Sequence, residues 1–143
     1  MNVTRRRIVL AAPLAGLTSH AAALEAPAAA VVLTVRGALV QAGRDGKADF
    51  DMAMLERLPQ RSITTETPWH SGARTFQGPL LREVLAAAGA RGQTARLVAL
   101  NDYSVDMPLD DARRYDVIVA RQLDGKPMSV REKGPLFVMY PFD

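Results

Sequence analysis

Tryptophan occurs once in this sequence of 143 residues, at Trp69, and the next residue is His70. The pair sits in Thr67-Pro68-Trp69-His70-Ser71-Gly72, a loop bounded by proline and glycine, where a large ring either packs down as a plug or offers a face for stacking. An imidazole there can hydrogen-bond a phosphate or simply face water. The second group is Arg131-Glu132-Lys133-Gly134-Pro135. Guanidinium forks and loop N–H groups hold anions, although a solvated turn, its charge offset in part by Glu132, uses the same residue types. A third group, Asn101-Asp102-Tyr103, suits a reversal between two strands, because Asn and Asp bond nearby backbone and tolerate left-handed conformations. Tyr103 then either faces a cleft or packs.

Several other chemistries lack their residues. No Gly-x-Gly-x-x-Gly run is present, and of the two histidines one, His20, lies in the N-terminal segment. Ser71 follows His70 directly, and adjacent side chains seldom form a nucleophile–base pair, so hydrolase activity is not expected. The absence of cysteine removes disulfides, thiolate metal ligands and Cys nucleophiles together. Stability therefore rests on packing.

The elements that must position these groups are short. Leu80, Leu81, Val84, Leu85 and Ala88 repeat at helical spacing, with Pro79 at a first helical position and Gly89 suited to the left-handed residue that ends the helix, so Pro79 to Ala88 reads as a helix burying Leu81, Leu85 or both. Ahead of it, Ala73 to Gln77 reads as a strand. Val31 to Val35 is a β-branched run, Ala42 to Gly46 a polar turn, and Phe50 to Leu58 a brief helix capped by Asp51 and stopped by Pro59. Arg61 to Thr67 is a strand entering the Trp loop. Ala95 to Leu100 reads as a strand of buried type and Tyr103 to Met107 as its partner. Asp110 to Tyr115 makes one helical turn capped by Asp110, and Val117 to Leu123 a strand. The hairpin turn Asp124-Gly125 leads into a strand from Lys126 to Val130, and Leu136 to Tyr140 is the last strand. Strands outnumber helices and tight turns join them, which predicts an α+β domain with a mixed, largely antiparallel sheet. The 48% hydrophobic content is enough for one core.

Residues 1–23 read as a signal peptide: Arg5, Arg6 and Arg7 start it, Ile8 to Leu17 form its apolar run, and Ala21 to Ala23 suit cleavage. The apolar run falls short of the roughly 20 residues a bilayer span needs. Thr4-Arg5-Arg6-Arg7-Ile8-Val9 fits both general secretion and a twin-arginine signal. Residues 24–30 read as a linker and 31–143 as the domain, outside the cytoplasm and without a membrane span. Removing the three arginines from the 18 basic residues leaves as many as the 15 acidic ones, so the formal charge of +3 belongs to the leader. No basic footprint for nucleic acid remains.

Taken in order, T-P-W-x-x-G, F-x-G-P-L-L-R-E-V-L-A-A-A-G, A-L-N-D-Y-S-V-D-M-P-L, L-D-G-K-P-M and R-E-K-G-P-L-F-V-M-Y-P make the chain resemble the oxidoreductase molybdopterin-binding domain, the fold of sulfite oxidases, plant-type nitrate reductases and a bacterial periplasmic methionine-sulfoxide reductase subunit. The resemblance covers about Val31 to Asp143. It implies a molybdopterin cofactor, an oxo-transfer activity, and contacts to that cofactor from Trp69, His70, Asp102, Tyr103, Arg131 and Lys133. It also implies a cysteine thiolate on molybdenum, from a segment ahead of the Trp loop. The matching segment, Arg61 to Thr67, reads RSITTET and has none, and neither Thr nor Glu donates charge to a metal as a thiolate does. The expectation is an exported family member degenerate at the metal position, without molybdenum ligation and with no residue assigned a catalytic role. The alternative is a non-catalytic periplasmic module that holds a small anionic ligand or a redox or other protein partner.

Overall fold

A computed structural model describes residues 24–40 and 46–141. The expected signal peptide and nearly all of the turn expected at Ala42 to Gly46 lie outside the described residues. Strand β1 (Val31–Arg36) pairs antiparallel with β2 (Lys47–Asp51) in a two-stranded ribbon. Asp51 ends β2 and caps α1 (Met52–Glu56), its side chain accepting the N–H of Met54 at 2.8 Å. The helix begins two residues later than expected because Phe50 and Asp51 are spent on the ladder to β1. Gln60 closes its far end, donating to the carbonyls of Leu55 and Leu58 at 2.8 and 2.7 Å, the first of which also accepts the Leu58 N–H at 3.3 Å.

Strands β3 (Gln60–Glu66) and β4 (Ala73–Pro79) form the longest ladder, in register from Gln60 opposite Pro79 to Glu66 opposite Ala73. Pro79 is the last residue of β4 and not the first of the helix. The helix α2 (Leu81–Ala88) starts from Leu80, which has extended backbone and no side-chain cap, and ends at Gly89 with φ 63°. Leu81 and Val84 are buried while Leu85 is half-buried, so the apolar face is turned toward Leu81. Strands β5 (Thr94–Val98) and β6 (Ser104–Pro108) make a separate hairpin. Only alternate residues of β5 are even half-buried, because among the described residues β6 is its only ladder partner, and the expectation of a buried strand is corrected here. In α3 (Leu109–Arg114) the N-cap is Pro108, with no side-chain cap, and Asp110 instead pairs with Arg114 one turn on at 2.8 Å.

The run expected as one strand from Val117 to Leu123 is divided. Strand β7 (Ile118–Ala120) pairs with β10 (Phe137–Met139), and β8 (Gln122–Leu123) pairs with β4 and with β9 (Lys126–Pro127). Arg121 separates them: its N–H donates to Gln77 O at 2.8 Å and its side chain reaches Gln60 Oε1 at 3.0 Å. The strand expected through Val130 stops at Pro127. A single 3-10 turn, Val130–Glu132, follows, capped reciprocally by Ser129 and Glu132. Every strand pairing is antiparallel, and the α+β architecture is as expected. The core has two parts: one around Phe50, Leu55, Val84 and Val119, the other around Ile63, Phe76, Ile118 and Met139. No helix among the described residues is long and apolar enough to cross a membrane.

Candidate functional site

The β3–β4 ladder ends at Glu66 and Ala73, and the six residues between them form the Trp loop. Thr67 is buried and organises it. Its carbonyl accepts the N–H of His70 at 3.2 Å, and its hydroxyl lies 2.9 Å from His70 Nδ1. The imidazole is thereby held with its ring 6.1 Å from that of Phe76, at the edge of the second core cluster. Trp69 is neither fully a plug nor fully free. Its ring meets Phe137 nearly edge-on, at 5.7 Å and 74°, while 45% of the residue stays exposed.

The 3-10 turn before β10 brings the cations. Lys133 follows it in left-handed backbone, φ 70°, with its ammonium 4.9 Å from the centre of the Trp69 ring. Gly134 is buried beneath this turn, its N–H donating to Ser129 O at 2.8 Å, and a Cβ there would collide with the carbonyl of Met128. The peptide bond to Pro135 is cis. Glu132 makes no ion pair with the neighbouring cations among the described residues; its carboxylate, still charged, accepts the N–H and hydroxyl of Ser129 at 3.1 and 3.3 Å. Among the described residues Arg131 and Lys133 have no ion-pair partner. The nearby carboxylate of Asp124 is engaged elsewhere. The Thr75 N–H, then the Arg74 guanidinium and more weakly His70, hold it below the usual carboxylate range.

Trp69, His70 and Lys133 are thus brought together, with Arg131 in the same turn as Lys133. Asp102 and Tyr103 are not joined to them. They form the tip of the β5–β6 hairpin, where Asp102 takes φ 65° and Tyr103 is 68% exposed, and that hairpin packs on the other core cluster through Ala95, Leu97 and Met107. Thr67, Phe76 and Phe137 belong to the site but were not singled out in the sequence. A surface concavity of about 590 Å³ lined by Val40, Ala86, Arg91 and Arg113 shares no residue with this group. Its wall joins the carbonyl end of α2 to the side chains of Arg91 and Arg113.

A family model for the oxidoreductase molybdopterin binding domain matches residues 33–142. The chain belongs to that family. No curated protein matches it. The family's metal is carried on a thiolate, and the donor set present here does not fit that role. Strand β3 supplies buried Ile63, Thr64 bonded to Thr75 at 2.9 Å, and, just beyond its end, Thr67 turned to His70. Among the described residues, no three His, Asp or Glu side chains gather to replace the thiolate. The groups gathered at the Trp loop are the aromatic rings of Trp69, Phe137 and Phe76, the imidazole of His70 and the ammonium of Lys133.

Proposed function

We propose that this molybdopterin-binding-domain protein is an exported, metal-degenerate member of its family that works as a binding module for a small anionic ligand at the Trp loop. The observation that supports the reading is the Lys133 ammonium over the half-exposed Trp69 ring, with Glu132 committed to Ser129. A cation–π contact at an exposed site contributes about 0.5–1 kcal/mol, and an exposed ion pair about 0–1 kcal/mol. Neither alone holds a ligand. Binding needs Lys133 and the forked guanidinium of Arg131 on one anion, backed by loop N–H groups, and such binding is weak and sensitive to salt. His70, its Nδ1 occupied by Thr67, has only its other ring nitrogen left for a ligand. Export is supported by the leader-like residues 1–23.

Because Trp69 is the only tryptophan, its fluorescence reports this site alone. Titration with inorganic phosphate at low ionic strength is expected to give a saturable change that weakens at high salt. An emission unaltered by phosphate at any ionic strength would contradict the reading.

A further inference from the structure

The seven residues before β1 have no helix or strand, yet they are fixed at several points. The N–H groups of Ala28 and Ala29 both donate to one oxygen of Asp51, Oδ2, at 2.8 and 3.2 Å. The other oxygen, Oδ1, accepts the Met54 N–H and caps α1. Glu25 pairs with Arg57 just after that helix at 3.6 Å, and Leu24 packs against the core cluster containing Phe50, Met54 and Leu55. Asp51 itself is only 2% exposed. A buried carboxylate is tolerated only when its oxygens are hydrogen-bonded, and the residues ahead of β1 supply two of its three bonds from N–H groups at normal length. The Met54 N–H first, then those of Ala28 and Ala29, and more weakly Arg57, hold this carboxyl below the usual range against the opposing effect of burial.

We infer that Leu24–Ala30 is a strap of the folded unit and not a linker, closed on the second oxygen of Asp51 and able to open while the rest of the domain stays folded. The family match begins at residue 33, so the strap lies outside it. Independent opening follows from the type of contact. Among the described residues, two hydrogen bonds, one exposed ion pair and one packed leucine hold the strap, with no ladder, whereas α1 and β2 are tied into the core by Phe50 and Leu55. Segments with so few contacts open at free energies well below the global one. Opening uncovers the flank of the first core cluster where Leu24 packs and leaves Asp51 Oδ2 to water.

The test is amide hydrogen exchange on the full chain at neutral pH, in wild type and in Asp51→Ser. Serine caps a helix as well as aspartate does, but it has no second oxygen for the strap. In wild type the Ala28 and Ala29 amides should exchange at least about tenfold slower than an open chain, and in low urea through a lower-energy opening than the Leu81 amide, which donates to Val117 O within the core. In Asp51→Ser the strap amides should accelerate at least about tenfold, to near the open-chain rate, while Leu81 and Met54 remain protected. Strap amides at the open-chain rate in wild type, or strap and core amides exchanging through one common opening, would overturn the inference. The wild-type measurement decides both points even if the serine variant does not fold.

Discussion

Lys133 and Arg131 are the residues whose charge the account uses, and their removal has a definite expected size. Each exposed ion pair contributes about 0.2–1 kcal/mol, so Arg131→Ala with Lys133→Ala should weaken phosphate binding about twofold to thirtyfold at low salt and by less at high salt. The phosphate titration of Trp69 emission measures it. Equal affinity in wild type and double variant would remove these cations from the site. Trp69 and the cations could be read from the sequence, because a single tryptophan between proline and glycine and two cations before Gly-Pro stand out by type. The capping role of Glu132 was also written there, as Ser129-x-x-Glu132, the reciprocal capping pattern, and it fixes where the carboxylate sits without removing its charge. Phe137 was not legible as a site residue, since nothing in an apolar strand says which ring its edge will meet.

Tyr140 gives a second test at this scale. Burial first, and then the hydrogen bond and charge of Asp111, whose carboxylate accepts the hydroxyl at 2.8 Å, push its pKa up from 10.0 to about 12. The folded state favours the neutral phenol, so this contribution is complete below pH 10 and is lost as pH rises toward about 12. Ultraviolet titration should show a tyrosinate step near pH 12 that is absent in Tyr140→Phe, and stability of wild type should fall more steeply than that of Tyr140→Phe across that interval. No difference between the two titrations would show that Tyr140 is not held by Asp111.

At the scale of elements, α2 shows what periodicity can and cannot give. The helix and its glycine end were legible from spacing and from the one residue type that takes φ 63° without strain. Its starting residue was not, because the ladder to β3 captures Pro79, and of the two leucines that spacing offered for burial the core takes Leu81 and leaves Leu85 half-buried. Leu81, 5% exposed, should therefore cost about 2–5 kcal/mol when changed to Ala, and Leu85→Ala distinctly less. Urea melts of the two variants that coincide would show the facing to be wrong. The exposure of β5 and the division at Arg121 were illegible for the same reason: whether a β-branched run is covered, or where it changes partner, is decided by distant residues such as Gln60 and Gln77. The turn carrying Lys133 depends on Gly134, and Gly134→Ala should destabilise the protein by about 1–3 kcal/mol through overpacking on Met128. It should also loosen Lys133 from Trp69, read as altered tryptophan emission below the unfolding transition. Emission and stability like those of wild type would contradict the packing described.

For the molecule as a whole, the family was legible because ordered blocks along the entire chain carry it, and the family model covers residues 33–142. The proposed loss of the metal rests on one segment. The fold presents a strand leading into the Trp loop, where a thiolate would stand in the family, and this chain has Thr and Glu there and no cysteine anywhere. Neither oxygen donor supplies the charge donation of a thiolate. The most direct measurement is the molybdenum content of the protein purified from a host that makes the cofactor, by elemental analysis per mole of chain. The account predicts molybdenum well below one equivalent and no sulfite-dependent reduction of an artificial electron acceptor. Stoichiometric molybdenum with turnover would contradict it and would require a ligand other than thiolate, with His70 and Glu66 the first to change.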